Sequence, residues 1–249
     1  IDATQKAAEL AGFSHVELLQ EPIAASMAFG IDNLKSDGFW LVFDFGGGTF
    51  DVALVKVDEG IMQVIDTEGD NFLGGKDLDY AIVDGIIIPY LQKEYSIDKI
   101  LSDDSKKTIL RDAMKFYAEE IKIQLSFKDS HDILSDIGEI PGTDDDGNEF
   151  ELELTVTSSE LKDAIGPVFQ QATDICKELL KRNNLKGNDL STIILVGGPT
   201  YSPILREMLK DQISPNVDTS IDPMTAVASG AALFASTKDI PTKHQKRDK

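Results

Sequence analysis

Three consecutive glycines, Gly46 to Gly48, stand between two acids, Asp44 and Asp51, in the otherwise apolar stretch FDFGGGTFDV that runs from Phe43 to Val52. Few folds accept such a stretch. The apolar residues on either side read as buried strands, and glycines permit the tight turn that joins them. The amides of such a turn can converge on an anion, with the Thr49 hydroxyl beside them. A plain hairpin with a bulge is the structural alternative. The flanking acids argue beyond it. Asp44 closes a strand just before the turn, a poor place to touch phosphate but a good one to hold Mg²⁺, directly or through water.

The rest of the chain surrounds that hairpin with alternating elements. FWLVFDF, FDVALVKVDEG and GIMQVIDTEG predict three successive strands, an antiparallel meander whose second turn is Asp58-Glu59-Gly60. Before it, EPIAASMAFG predicts a helix with Pro22 at its first position and Gly30 just past its end, followed by a polar turn over 31–38. After it, Leu78, Ile82, Ile86 and Leu91 recur at helical spacing from Asp77 to about Tyr95, with Pro89 as a possible bend. A longer helix is predicted from about Asp103 to Phe127, and a β hairpin over 128–156 in which FELELTV alternates from Phe150 to Val156.

TSSE, Thr157 to Glu160, is a capping box for a helix with Leu161, Ile165, Phe169, Ala172, Ile175, Cys176 and Leu179 turned inward. TIILVGG then reads as a buried strand, SPILREMLKDQI as a helix, and DPMTAVASGAALFAS as a last helix whose alanines and Gly230 suit close packing. This order implies an α/β core with an inserted subdomain.

The net charge of −20 argues against nucleic acid and anionic membranes as partners, though not against a phosphorylated ligand held by local donors. The single cysteine, Cys176, allows no intrachain disulfide and fits a reducing compartment. No apolar run is long enough to span a bilayer. The opening IDATQKAAELAG is already helical in pattern, so a piece of a longer protein is expected, and the polar tail TKDIPTKHQKRDK over 237–249 reads as disordered or a linker.

Two familiar phosphate motifs are missing. There is no GxxxxGK[ST] and no GxGxxG opening a helix after a strand, which argues against a P-loop and a Rossmann site. Two further glycine pairs stand at element ends: Gly74 and Gly75 in FLGGKD before a helix, Gly197 and Gly198 in LVGGPT after a buried strand. Gly197 and Gly198 are also compatible with a plain strand-helix turn.

Taken together, EPIAAS, FDFGGGTFDV, EGDNFLGGKDLD, AEEIKIQLS and LVGGPTYSP stand in the order and spacing found in the seventy-kilodalton heat-shock chaperones. The chain resembles the ATPase domain of that family over nearly all of residues 1–236. The resemblance implies an α/β, actin-like ATPase fold of the ribonuclease-H-like kind, comprising the end of lobe I plus lobe II with an inserted α+β subdomain. Residues 1–37 and 222–236 would be the remainder of lobe I, 38–75 and 156–221 the lobe II core, 76–155 the insertion and 237–249 the tail.

It also implies roles. ATP or ADP with Mg²⁺ would lie in the cleft between the lobes. Gly46, Gly47, Gly48 and Thr49 would face the β- and γ-phosphates, Asp44 would hold Mg²⁺ through water, and Glu21 would stand near the attacking water. Glu119, Lys122 and Ser126, on one helix face, would meet ribose and purine, with Gly74, Gly75, Gly197 and Gly198 lining the site. Without the resemblance, Glu119 and Lys122 read as an ordinary solvated pair, and Glu21 as an acid favoured by its helix dipole.

The expected partners are a peptide-binding domain of the same chain, a J-domain co-chaperone and a nucleotide exchange factor, in the cytoplasm. The family's first phosphate hairpin and its γ-phosphate lysine would lie upstream of Ile1, so little or no hydrolysis is expected of this chain alone.

Some positions depart from the family pattern. Tyr201 stands where an arginine commonly packs on adenine, and could stack there instead. Pro199 and Met224 replace a small polar residue and an acid, and Ile123 is the residue of bacterial-type members. The acidic-leucine linker is not found in the tail. Actin-like filament proteins share the glycine hairpin and form the alternative reading; a pure docking module is a third. Asp144, Asp146, Gly147 and Glu153 imitate an EF-hand loop, but Gly142 holds its first position, so DDDGNE reads as a hairpin turn. His15, His131 and His244 lack metal-ligand spacing.

Overall fold

The computed structural model describes residues 2–33 and 37–238. The predicted tail therefore lies almost wholly outside the described residues. Helix α1 (Asp2–Leu10) stops before Gly12, whose φ of +95° ends it. Helix α2 spans Glu21–Asn33, so Gly30 is not the stop expected of it. A Cβ there would lie 3.0 Å from the Met62 methyl, so the missing side chain serves packing, and the helix continues.

Strands β1 (Gly38–Phe45), β2 (Phe50–Asp58) and β3 (Ile61–Asp70) form the predicted meander. The inserted region follows. Helix α3 (Gly75–Ile82) passes through a π turn at Val83–Ile87 into α4 (Ile88–Glu94). Pro89 has no N–H to donate, and the widened turn just before it absorbs that defect. Next come α5 (Asp98–Ser102) and α6 (Asp104–Gln124), whose cap Asp103 accepts from the Ser105 and Lys106 amides.

The hairpin is shorter than expected. It pairs β4 (Ser130–Leu134) with β5 (Glu153–Thr157), while Phe150 and Leu152 are buried outside the ladder. Helix α7 (Ser158–Arg182) starts on the predicted capping box: Thr157 N donates to Glu160 Oε2 at 2.8 Å, and Glu160 N to Thr157 Oγ1 at 3.3 Å. Strand β6 (Leu190–Val196), a short 3-10 turn at Gly198–Tyr201, α8 (Pro203–Gln212) and α9 (Ala226–Ser236) complete the described chain.

The main sheet has the order β3-β2-β1-β6, with β1 antiparallel to β2 and parallel to β6. Strand parity then divides the core. Leu41, Phe43, Phe45, Phe50, Val52 and Leu54 point to the face covered by α3 and α7. Trp40, Val42, Ala53 and Val55 point to the other face, onto Ala25 and Phe29 of α2 and Ala226 of α9. Helices α2 and α9 cross so closely that a Cβ on Gly230 would fall 1.7 Å from the Ala24 carbonyl oxygen.

Candidate functional site: a glycine turn between two clefts

Because β1 and β6 run parallel, their carboxyl ends share one edge of the sheet, where a crevice for a ligand can form. Each ends in glycines. After β6, Gly197 has φ +92°, and a Cβ would meet Phe45 O at 2.2 Å, so glycine is required there. After β1, the turn is closed by Gly46 N donating to Thr49 O at 2.9 Å.

Helix α3 fastens this turn from the side. The Gly75 amide donates to Gly46 O and the Lys76 amide to Gly47 O, both at 2.9 Å. Gly74 lies so close that its Cβ would be 2.6 Å from the Gly48 backbone. The Gly46 and Gly47 carbonyls are thus spent on α3. The turn's amides at Gly47, Gly48 and Thr49 have no acceptor among the described residues. Neighbouring N–H groups without an acceptor, on a bend held in place, can converge on an anion.

A cleft of about 690 Å³ opens beside the turn. Its walls include Gly46, Gly47, Gly75, Glu119, Lys122, Ser126, Gly197, Gly198 and Tyr201, so nine residues singled out in the sequence meet in one place. Ile165 and Phe169 of α7 give it an apolar side. Gly48, Gly74 and Thr49 do not line it.

Two predicted residues are engaged in ways the sequence did not announce. Lys122 Nζ lies 2.5 Å from Oδ1 of Asp79, a carboxylate only 5% exposed. Burial raises the Asp79 pKa, against the opposing pull of Lys122. The Tyr201 hydroxyl donates to Asp222 Oδ1. Its ring lies 5.9 Å from that of Phe127, with the Arg206 guanidinium 5.8 Å from its centroid.

Asp44 and Glu21 are elsewhere. Parity turns Asp44 to the α2 face, where it lines a second cleft of about 570 Å³ with Glu21 and Asp51. Asp51 was seen in the sequence only as a flanking acid; the register pairs it directly with Asp44. Burial first, then the charges of Glu21 and Asp51, push the Asp44 pKa up to about 6. Such hard oxygen donors suit Mg²⁺. Among the described residues no three His, Cys, Asp or Glu side chains converge tightly enough to chelate an ion by themselves. A cation at Asp44 therefore needs further oxygens, from water or a phosphorylated ligand.

The EF-hand imitation is a turn, as expected. Asp144 accepts from the backbone amides of Asp146 and Asn148 and from the Asn148 side chain. Cys176 is fully buried, which pushes its thiol pKa far up. Among the described residues, no helix is long and apolar enough to cross a membrane.

This α/β arrangement is the fold of the actin-like ATPase class. The chain belongs to the Hsp70 protein family, whose model matches residues 2–244. Its relatives include the chaperone protein DnaK of Nitrosopumilus maritimus (strain SCM1), 37% identical over 94% of this chain and 35% of that protein. Another is the DnaK of Thermoplasma acidophilum, 37% identical over 93% of this chain and 36% of the relative. A third, the DnaK of Elusimicrobium minutum, is 35% identical over 94% and 36%. The chain thus spans about a third of the length of the curated relatives it matches. All three carry a chaperone's name, which does not favour the filament alternative.

Proposed function

We propose that this chain is a nucleotide-binding part of a heat-shock-type chaperone, holding ATP or ADP with Mg²⁺. The observation that carries this reading is the set of acceptor-free amides at Gly47, Gly48 and Thr49 on a turn whose Gly46 and Gly47 line a cleft together with Glu119, Ser126 and Tyr201. The base and ribose lie between Tyr201 and the α6 residues Glu119, Lys122 and Ser126. The phosphates cross the glycine turn toward the carboxylates.

Bound Mg²⁺ supplies charge neutralisation on the phosphate oxygens. Asp44 would hold it through water, and Glu21, which lines the same cleft, would orient a water for in-line attack. Thr49 adds a hydroxyl donor at the turn. In the whole protein, hydrolysis would alter the closure of the cleft and so the grip of a peptide-binding domain. A J-domain co-chaperone and an exchange factor would regulate that cycle. The lone, buried Cys176 suits a cytoplasmic setting.

Isothermal titration calorimetry with Mg²⁺ and ADP tests the reading. Saturable binding, weakened in Tyr201→Ala, is expected. A chain that binds ADP no better than it binds a sugar phosphate lacking the base would overturn it.

A further inference from the structure

Lysines from two helices border the cleft: Lys76 of α3, and Lys115 and Lys122 of α6. Lys122 is committed to Asp79. Lys115 places its ammonium 5.5 Å from the centre of the Tyr80 ring. Lys76 is different. It is half-buried, and among the described residues it has neither an ion-pair nor a ring partner. In a chain with 44 acids against 24 bases, a half-buried lysine without a carboxylate partner is conspicuous. The nearest acid on its own helix, Asp77, is occupied by the Gly74 amide at 2.8 Å.

Its position adds to the puzzle. Lys76 is the second residue of α3, where the helix dipole disfavours a cation. Its own amide is bonded to Gly47 O, and its Nζ lies 3.9 Å from where a Cβ on Gly48 would be. The side chain thus folds back over the turn that carries the free amides of Gly47, Gly48 and Thr49. An arriving phosphate would satisfy both the amides and the ammonium, and would remove the conflict with the dipole.

We propose that Lys76 is a phosphate-contacting residue of this cleft, its ammonium completing with the Gly47, Gly48 and Thr49 amides one site for the terminal phosphate of the nucleotide. The identity of that phosphate rests on the nucleotide reading above; the anion site itself does not.

The test titrates inorganic pyrophosphate, ADP and adenosine separately into the wild-type chain and into Lys76→Ala, Lys76→Arg and Lys76→Glu. The expected result is a roughly tenfold loss of pyrophosphate and ADP affinity in Lys76→Ala, as for loss of one charge-assisted contact. Lys76→Glu should lose more, Lys76→Arg should retain most, and adenosine affinity should be unchanged. Thermal melts separate this from a structural role: without ligand Lys76→Ala should melt no lower than wild type, while its ligand-induced shift shrinks. Equal pyrophosphate and ADP affinity in wild type, Lys76→Ala and Lys76→Glu would overturn the proposal, as would a wild type that binds neither. Pyrophosphate binding that depends on Lys76 but gains nothing from the adenosine of ADP would sustain the anion site and sink the nucleotide reading.

Discussion

Asp44 and Asp51 face each other in register across β1 and β2, both on the sheet face that carries α2, and Glu21 shares their cleft. Burial, reinforced by the like charges of Glu21 and then Asp51, raises the Asp44 pKa to about 6. A native pKa above the unfolded value means that the folded state holds its proton longer. The Asp44 contribution is therefore favourable below the ordinary carboxylate range and is lost as pH rises through about 6. Asp44→Asn should gain stability relative to wild type between about pH 4.5 and about pH 7.5, read from paired thermal melts. Millimolar Mg²⁺ with ADP should stabilise wild type more at the upper pH and help the variant less. A wild-type minus variant difference that is flat with pH contradicts this.

Lys122 and Asp79 are the most buried ion pair among the described residues. Lys122→Met leaves the carboxylate without its cation and should cost about 3–5 kcal/mol by chemical denaturation. The Asp79 pKa, already raised by burial, should rise further, so the deficit should be smaller near pH 4.5 than near pH 8. Adding Asp79→Asn should recover most of the loss; a double variant as weak as the single one argues against the pair as the cause.

Gly230→Ala sets two effects against each other. Alanine favours the helix by about 1 kcal/mol over glycine. Its methyl, however, would fall 1.7 Å from Ala24 O, which forces α2 and α9 apart. The clash should win, with a net loss of about 1–3 kcal/mol in unfolding free energy. A more stable variant would show that the helices separate freely.

Much of this was legible in the chain. The capping box and the inward stripe of α7 are local signals, and both appear as expected. The glycine turn was recognisable because its neighbours are unambiguous strands. What escaped depends on distant partners. Asp79 lies 43 residues from Lys122, so nothing in AEEIKIQLS shows that the ammonium is already engaged. Asp51 gained meaning only when the strand register set it opposite Asp44, and the same parity turns Asp44 away from the cleft that Gly46 and Gly47 line. Gly30 looked like a helix stop because glycine usually is one; its packing on Met62 is visible only in three dimensions. Lys76 follows a glycine pair that drew attention to backbone alone.

Tyr201 separates stacking from hydrogen bonding. Tyr201→Phe removes the bond to Asp222 but keeps a ring near Phe127, and should leave ADP affinity within about threefold of wild type. Tyr201→Ala should weaken it roughly tenfold, since one aromatic contact contributes about 0.5–1.5 kcal/mol beyond its area and the buried ring area is lost as well. Equal losses in both variants, measured by calorimetry, would assign the effect to Asp222 instead.

The account rests on where a diphosphate settles. A crystal structure of this chain with ADP and Mg²⁺ should show phosphate oxygens within hydrogen-bonding distance of the Gly47, Gly48 and Thr49 amides, with the base beside Tyr201. Nucleotide bound elsewhere while those amides face only solvent would contradict it.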